Sequence, residues 1–347
     1  MVQQFKEAKE IRVGVVGYGG AFNMGKHHLK EMEAAGMTPV AVTEMDPERL
    51  AVATKDYPGI GTFDSIDAML AESDVNLITL ITPHNTHAPL GVQALEAGRH
   101  VVCEKPLAIT TAECDAMIAA AEKSGVMLST YHNRHWDGLP RTAVDLVKEQ
   151  GAIGDVYKID CRMGSRHLPG DWWRSSKTIS GGVMYDWGVH LLEYALQVID
   201  SEITEVSGYA KKGFWAPQIK WAEDSNEDEA RAVVRFANGV WLTLTISTLD
   251  SDPKQGIVEI SGTEGSIVFG DPHNDYRLIQ WKDGNRTTTE GKQLETVGHR
   301  YYENVAAYLT GKADLIITPE WSRRPIHILD LADQSAATGK ALSAKYA

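Results

Sequence analysis

Cysteines, long apolar runs and basic clusters are scarce or absent in this sequence. Its only cysteines, Cys103, Cys114 and Cys161, are odd in number and unevenly spaced. We therefore expect reduced thiols in a reducing compartment, with no disulfide framework and no zinc site of paired cysteines. No apolar run approaches the roughly 18 residues that a membrane span requires. The polar first ten residues lack the apolar core of a secretory signal, so we expect a cytoplasmic protein.

The charge balance excludes further classes of partner. The formal net charge is −13, and no Lys/Arg cluster forms a basic face of the kind that nucleic acids or anionic membranes require. The chain has 347 residues and no internal repeat, a length that corresponds to about two domains. We expect a small-molecule partner, and no metal is implied.

The first part of the chain alternates apolar runs with amphipathic segments. Strands are predicted at 11–17, 38–44, 75–82, 99–104 and 126–130. Helices are predicted at 47–57, 65–73, 88–98 and 110–125, the last one capped by Thr110 or Thr111 and closed by Gly125. This alternation predicts a doubly wound parallel sheet in a domain of residues 1–130.

The rest of the chain, 131–347, has a different pattern. A helix is predicted at 141–151, and strands rich in β-branched residues are predicted at 155–163, 202–210, 230–237, 240–248, 256–262 and 265–270. Asn238-Gly239 is a strong hairpin signal. Two helices are predicted in the tail, at 301–311 and 325–342. We expect an α+β domain with an open, mostly antiparallel sheet.

A glycine-rich loop, beginning at Gly17, follows the first strand and opens a helix. Gly17 permits a tight turn, and Gly19 or Gly20 would let the backbone approach a pyrophosphate at the helix N-terminus. The G-x-G-x-x-G pattern is incomplete, because Phe22 occupies the third glycine position and the next glycine is Gly25. The departure leaves the local loop geometry open.

Acidic residues after the second strand indicate which nucleotide is bound. Glu44, or its neighbour Asp46, stands where a carboxylate accepts hydrogen bonds from an adenosine ribose. Such a carboxylate repels a 2′-phosphate, so NAD is favoured over NADP. Alternatively, Glu44 belongs only to the turn, and Asp46 opens the next helix. Arg49 on that helix is expected to be solvated.

Two later segments carry the candidate chemistry. Lys105 ends a predicted parallel strand, at the sheet edge where such folds bind ligands. Asp186 and His190 are spaced i, i+4, so they share one helix face. Each also has an interpretation without a catalytic role. Lys105 would then be a solvated charge, and Asp186 and His190 would form a hydrogen-bonded pair on the helix surface. The preceding Trp172, Trp173 and Arg174 offer apolar walls and hydroxyl-directed donors for a polar ring, or ordinary interface packing.

In this combination the chain resembles the glucose–fructose oxidoreductase / inositol dehydrogenase / MocA (Gfo/Idh/MocA) family. The resemblance spans almost the whole chain. It rests on the glycine loop, Glu44 and Asp46, TPHNTH (82–87), Glu104-Lys105-Pro106, YHNRHWDG (131–138), Gly181-Gly182 with Asp186 and His190, and the segments at 227–245, 258–269 and 301–320. A third glycine often follows Gly181-Gly182 in the family and is Val183 here.

The resemblance implies a Rossmann domain followed by a domain whose sheet makes dimer or tetramer contacts. It implies catalytic roles for Lys105, Asp186 and His190, with substrate contacts from these three and from Trp172, Trp173 and Arg174. The residues expected to bind the cofactor are Gly17, Gly19, Gly20, Glu44, Asp46, Thr82, Pro83, Asn85, His87, Glu104, Lys105 and Asn133.

The expected activity is NAD-dependent hydride transfer at a hydroxyl-bearing carbon of a polyol, cyclitol or sugar. His190 is expected to act as general base, Lys105 to hydrogen-bond the reacting oxygen, and Asp186 to orient His190 or to hold a substrate hydroxyl. The alternative is a glycoside-cleaving enzyme that recycles NAD through transient sugar oxidation and elimination. A non-catalytic NAD-binding regulator and a shuttle with tightly bound cofactor are further alternatives.

Overall fold

The structure is a computed structural model that describes residues 5–20, 22–270 and 275–344. Ala21 of the predicted glycine loop and the first four residues of the polar N-terminus lie outside the described residues. Contacts divide the chain into two compact units, of which unit 1 comprises Met1–His132 and His299–Arg324, and unit 2 comprises Asn133–Gly298 and Pro325–Ala347. Contacts thus group His299–Arg324 with unit 1, while the domain bounds 1–130 and 131–347 stay a prediction.

Unit 1 is built on a six-stranded parallel sheet. Its strands are β1 (Arg12–Val16), β2 (Thr38–Thr43), β3 (Gly61–Phe63), β4 (Leu77–Leu80), β5 (His100–Cys103) and β6 (Leu128–Thr130). Their order is β3-β2-β1-β4-β5-β6, and each neighbouring pair is parallel. All four residues of β4 and of β5 are buried, as expected when both faces of a parallel sheet are covered. The predicted doubly wound sheet is confirmed; only the short β3 was not predicted.

Five helices connect these strands or flank them. They are α1 (Met24–Ala34), α2 (Pro47–Asp56), α3 (Ile66–Glu72), α4 (His87–Glu96) and α5 (Thr111–Ser124). Thr110 begins α5 with a full capping box, because its hydroxyl accepts the Glu113 N–H while the Glu113 carboxylate accepts the Thr110 N–H. Gly125 ends α5 in the left-handed conformation.

Unit 2 contains a nine-stranded sheet and the helices that cover it. The helices are α6 (Gly138–Val144), which continues as a π-helical turn over Asp145–Glu149, α7 (Lys177–Ser180) and α8 (Trp187–Val198). The strands are β7 (Val156–Gly164), β8 (Ile203–Lys211), β9 (Glu229–Phe236), β10 (Trp241–Ser247), β11 (Val258–Gly262), β12 (Gly265–Phe269), β13 (Asp275–Lys282), β14 (Asn285–Lys292) and β15 (Leu342–Ser343).

This second sheet is mostly antiparallel, as predicted. Its order is β14-β13-β12-β11-β7-β10-β9-β8-β15. Strands β7 and β10 pair in parallel, and the other neighbouring pairs among the described residues are antiparallel. Leu242 and Leu244 of β10 are buried on the face that α8 covers, whereas Trp241 and Thr243 alternate with them on the open face.

Two helices complete the fold, α9 (Arg300–Leu309) in unit 1 and α10 (Pro319–Thr338), whose first residues belong to unit 1 and the rest to unit 2. The tail prediction began the last helix at Pro325, but the helix begins at Pro319 and contains Pro325 in its interior. Among the described residues, none of the helices has the length and apolarity that crossing a lipid bilayer would require.

Candidate functional site

Four neighbouring strands of unit 1 deliver candidate site residues to one edge of the parallel sheet. Gly17 follows β1, Glu44 follows β2, Thr82 lies two residues beyond β4, and Lys105 lies two residues beyond β5. The chain runs from β1 to one side of the sheet and returns on the other side with β4, so β1 and β4 flank the topological switch point. Open α/β sheets bind their ligands at this position.

The glycine loop leaves its backbone uncovered where a ligand would approach. Gly17 has a φ of +103°, and a Cβ there would lie 2.9 Å from the carbonyl oxygen of Ile81, so no other residue fits. Among the residues that the structure describes, no atom lies within 4 Å of where a Cβ on Gly19 would be. The loop therefore has room above Gly19, and α1 begins a few residues later at Met24.

Gly25 takes over the packing role of the missing third glycine. A Cβ on this residue would lie 2.6 Å from Cδ2 of Tyr18 and 2.9 Å from the carbonyl oxygen of Gly17. The first turn of α1 can therefore pack against the loop only because residue 25 has no side chain. Phe22, at the expected glycine position, is 56% exposed. The loop is therefore longer than the G-x-G-x-x-G pattern describes, and the close approach between the loop and α1 occurs at Gly25.

Glu44 faces the glycine loop, whereas Asp46 caps the next helix. One carboxylate oxygen of Glu44 accepts the Tyr18 N–H at 2.7 Å, and the other accepts the N–H groups of Met45 at 2.8 Å and Asp46 at 3.2 Å. The Asp46 carboxylate accepts the Glu48 N–H at 2.9 Å, as an N-cap residue does. Among the described residues, the contact to the loop comes from Glu44, whereas Asp46 bonds to its own helix.

Arg49 contacts the same loop instead of extending into solvent as expected. Its Nε donates to the Tyr18 carbonyl oxygen at 3.0 Å, and its Nη1 lies 3.0 Å from where a Cβ on Gly20 would be. The guanidinium thus supports the loop from the α2 side and adds a positive charge beside Gly20. No sequence motif marked this contact, which joins residues 31 positions apart.

The loop after β4 is pinned to the segment after β5 by His87. The buried His87 ring places Nδ1 2.8 Å from the Pro106 carbonyl oxygen and Nε2 2.9 Å from that of Thr82. Burial lowers the pKa of His87, despite the raising effect of these two carbonyls, so the neutral ring donates to one of them at a time. Thr86 closes the loop by donating to Thr82 Oγ1 at 2.7 Å or to the Pro83 carbonyl oxygen at 2.6 Å. Pro83 and Asn85 lie in this loop.

Glu104 is held from two sides next to Lys105. One of its carboxylate oxygens lies 3.0 Å from Nε2 of the buried His28, and the other accepts the Lys105 N–H at 2.9 Å. Burial raises the pKa of Glu104, but the hydrogen bonds and charges of His28 and Lys105 outweigh it, so the pKa stays below its ordinary value and the group is a carboxylate. The following Lys105–Pro106 peptide bond is cis.

The residues of this sheet edge fit a dinucleotide. The tight turn at Gly17 and the uncovered backbone at Gly19 suit a pyrophosphate before the N-terminus of α1, and the Glu44 carboxylate beside Tyr18 is of the kind that accepts ribose hydroxyls.

In unit 2, Arg174 contacts three other residues that were predicted to bind substrate, namely Asp186, Trp172 and Trp173. Its Nη1 donates to Asp186 at 2.9 Å, and its Cζ lies 5.1 Å and 5.2 Å from the ring centroids of Trp172 and Trp173. A guanidinium that contacts two indoles and a carboxylate is fixed in position. Trp172 is 37% exposed, which leaves an indole surface for a ligand.

Asp186 and His190 lie at the start of α8, with one difference from the prediction. Asp186 precedes the helix as its N-cap residue, so the two residues share a helix start instead of a continuous helix face. His190 is buried, with its ring centroid 5.6 Å from that of Trp187. Gly182, at a φ of +132°, precedes them, and the buried Glu227 accepts the Val183 N–H at 3.0 Å.

Sequence reasoning assigned no role to several neighbours of this helix. The Arg134 guanidinium lies 4.9 Å from the Trp187 ring centroid, and Nδ1 of His135 lies 2.5 Å from the buried carboxylate of Glu193. Both belong to the YHNRHWDG segment, whose Asn133 begins a short 3₁₀ helix at Asn133–Trp136. The segment is rich in polar and aromatic residues, and this was the sequence signal that could have indicated a place near the candidate site.

Comparisons with known proteins identify the family. Residues 11–132 match the model described as "Oxidoreductase family, NAD-binding Rossmann fold", and residues 141–268 match the GFO/IDH/MocA C-terminal domain. The chain belongs to the GFO/IDH/MocA oxidoreductase family. It is 33% identical to the uncharacterized oxidoreductase YdgJ of Escherichia coli over 94% of this chain and 96% of that one.

The chain is also similar to a dehydrogenase and to an NAD-binding protein of known structure. Levoglucosan dehydrogenase of Pseudarthrobacter phenanthrenivorans is 28% identical over 77% of this chain and 75% of its own. The crystal structure of an NAD-binding protein from Listeria innocua matches with a TM-score of 0.82, at 26% identity and 97% coverage of both chains. The protein is thus an oxidoreductase with an NAD-binding fold. Among the described residues, no group of three or more His, Cys, Asp or Glu side chains could hold a metal ion.

Proposed function

We propose that the protein is an NAD-dependent dehydrogenase that acts on a hydroxyl-bearing carbon of a polyol, cyclitol or sugar. The observation that carries the proposal is the order of residues along one sheet edge, where the strand ends of β2, β1, β4 and β5 present Glu44, Gly17, Thr82 and Lys105. A nucleotide loop and a lysine at neighbouring strand ends suit a cofactor whose reactive end lies near the lysine. The name of the levoglucosan dehydrogenase relative supports a sugar-like substrate.

The preference for NAD rests on Glu44. Its carboxylate lies beside the glycine loop through the Tyr18 N–H, where it would accept hydrogen bonds from ribose hydroxyls and repel a 2′-phosphate. Arg49 bears the opposite charge at Gly20, but its Nε donates to the Tyr18 carbonyl oxygen. In this proposal Arg49 supports the loop and Glu44 selects the nucleotide.

The protein groups supply orientation and proton transfer. A bound nicotinamide supplies the hydride chemistry. Lys105 donates a hydrogen bond to the reacting hydroxyl oxygen of the substrate. As the hydroxyl proton leaves, Lys105 stabilises the negative charge that develops on that oxygen. His190 accepts that proton, which suits an imidazole near neutral pH. In the reducing direction His190 returns the proton.

Substrate recognition is assigned to Arg174 and the three residues that it contacts, Asp186, Trp172 and Trp173. Asp186, paired with Arg174 at 2.9 Å, accepts hydrogen bonds from substrate hydroxyls adjacent to the reacting carbon. The indoles of Trp172 and Trp173 contact the apolar face of a ring-shaped substrate, and the Arg174 guanidinium donates to its oxygens. A neutral, polyhydroxylated ring matches these donors, acceptors and aromatic surfaces.

A substrate panel tests the proposal. Inositols, aldoses, levoglucosan and aryl glycosides are each incubated with NAD and with NADP, while NADH absorbance and product identity are followed. We expect stoichiometric NADH formation with at least one ring polyol or sugar, and slower turnover with NADP. Consumption of a glycoside without net NADH would contradict the proposal and identify the NAD-recycling alternative. Faster turnover with NADP would contradict the role of Glu44.

A further inference from the structure

We propose that His28 and Glu104 form a positioning pair for Lys105, in which His28 orients the Glu104 carboxylate and Glu104 fixes the main chain of the reacting lysine. The inference rests on the proposed function, because it gives a purpose to the surroundings of Lys105. It also gives Glu104 a different task from the cofactor contact expected from the sequence. All the residues involved belong to unit 1.

His28 is a buried histidine of α1. It lies in the second turn of α1, has no solvent exposure, and reaches Glu104, which lies 76 positions later in the chain. On its other side, Nδ1 of His28 lies 2.7 Å from the phenol oxygen of Tyr302, and that oxygen lies 3.2 Å from Thr79 Oγ1. The imidazole is thus fixed at both nitrogens.

The charge of Glu104 sets the direction of its hydrogen bond with His28. Glu104 is a carboxylate and only accepts, so Nε2–H of His28 donates to it. Burial raises the pKa of Tyr302 well above its ordinary value, so the phenol keeps its proton, 2.7 Å from Nδ1 of His28. The buried imidazole thus links the Tyr302 phenol on one side to the Glu104 carboxylate on the other.

The Glu104 carboxylate connects His28 to the main chain of Lys105. With one oxygen engaged by His28, its other oxygen accepts the Lys105 N–H at 2.9 Å, a charge-assisted bond to the main chain of the proposed reacting residue. The same carboxylate shows only slight side-chain exposure, 15% against 0% for His28. A carboxylate that joins a buried imidazole to the main chain of Lys105 in this way suits positioning.

The consequence is a physical connection between the nucleotide loop and Lys105. The loop leads directly into α1, and α1 carries His28, so the helix that follows the pyrophosphate site also orients the strand end that bears the lysine. Since misplacement of a catalytic group by about 1 Å costs up to about 10²-fold in rate, the pair should affect turnover without touching the ligand.

The test compares His28→Leu with His27→Leu, a control on the adjacent, half-exposed histidine of the same helix. Hydrogen–deuterium exchange is measured at the Lys105 amide, NADH affinity by fluorescence titration, and turnover with the substrate that the panel identifies. For His28→Leu we expect faster exchange at Lys105 and a kcat lower by about 10- to 100-fold. NADH affinity should stay within about threefold, and His27→Leu should leave the Lys105 amide and kcat unchanged.

Rescue and backup variants keep the test decisive. His28→Gln retains an N–H donor near the Nε2 position and should recover most of kcat and of the amide protection. If His28→Leu does not fold, Glu104→Gln, which keeps the side-chain volume and removes the charge, should give the same losses. Unchanged exchange and kcat in His28→Leu, or a loss of NADH affinity as large as the loss of kcat, would overturn the positioning role.

Lys105→Ala separates this inference from the proposed function. If Lys105→Ala keeps full turnover, the assigned role of Lys105 fails and the positioning role fails with it. If Lys105→Ala is inactive while His28→Leu has normal turnover and normal amide exchange, the proposed function stands and only the positioning pair is rejected.

Discussion

At the scale of single residues, the strongest claim concerns Lys105 and His190. In the proposed mechanism Lys105 donates a hydrogen bond to the reacting oxygen, and His190 accepts the proton. Lys105→Ala and His190→Ala should therefore each lower kcat by about 10²-fold or more. NADH affinity measured by fluorescence should remain near that of the native protein. Lys123→Ala, at a lysine whose side chain is 77% exposed, is the matched control. Native turnover in either variant would refute its assigned role.

A second residue-scale prediction concerns His100 and pH. This buried histidine accepts the Met127 N–H on Nδ1, and burial lowers its pKa to about 4. Because the unfolded chain then binds more protons than the folded chain between pH 6.5 and about 4, stability is full above pH 6.5 and falls as the pH drops. The shift corresponds to about 3 kcal/mol.

Urea unfolding at pH 7.5 and 4.5 measures this effect. His100→Asn keeps an acceptor for the Met127 N–H and removes the titration, so its free energy of unfolding should fall by about 2–3 kcal/mol less than that of the native protein over this range. His299→Asn, at a largely exposed histidine, serves as control. Equal losses in all three proteins would show that His100 does not contribute.

At the scale of elements, the glycine loop separates a packing glycine from a ligand-facing one. Gly25→Ala should lower the free energy of unfolding by about 1–3 kcal/mol, since its Cβ would lie 2.6 Å from Tyr18. Gly19→Ala should leave the melting temperature nearly unchanged, because a Cβ there meets no atom of the described residues within 4 Å. It should nevertheless weaken NADH binding about tenfold by blocking the pyrophosphate. A loss of stability in Gly19→Ala, together with weaker NADH binding but unchanged stability in Gly25→Ala, would contradict these two roles.

Elements with local signals were predictable and elements without them were not. The capping box at Thr110 and Glu113 and the Asn238-Gly239 hairpin between β9 and β10 follow from neighbouring residues alone. The β13–β14 hairpin was missed although Asp283-Gly284, both at positive φ, is the same type of turn signal. Strand β3 has three residues, too few for a periodic pattern.

Contacts between distant residues lay beyond sequence reasoning. The residue types of the candidate site were recognisable, but nothing local to His28 indicates that it contacts Glu104 or Tyr302. The pairing of Arg174 with Asp186 similarly depends on how a loop returns to the start of α8. The sequence thus predicts groups that would carry charge or protons, whereas the residues that contact them emerge only from the fold.

At the scale of the whole molecule, the second sheet has one covered and one open face. The open face carries Trp241 and Tyr209, which are 41% and 62% exposed, among charged neighbours such as Arg162 and Arg231, which line a surface cavity of about 670 Å³. Apolar side chains on an open sheet are typical of an interface. The family resemblance predicts that this face joins copies of the chain as a homodimer or homotetramer.

Light scattering coupled to size-exclusion chromatography checks this assembly. The native protein should elute with two or four times the chain mass of 38.1 kDa. The double variant Trp241→Glu with Tyr209→Glu places two carboxylates in the predicted interface, where burying unpaired charge opposes association, and should shift the mass to that of one chain. Val52→Glu, an exposed apolar position on α2, should leave the mass unchanged. A native protein of single-chain mass would refute the assembly, whereas an oligomer that persists in the double variant would assign its interface to another surface.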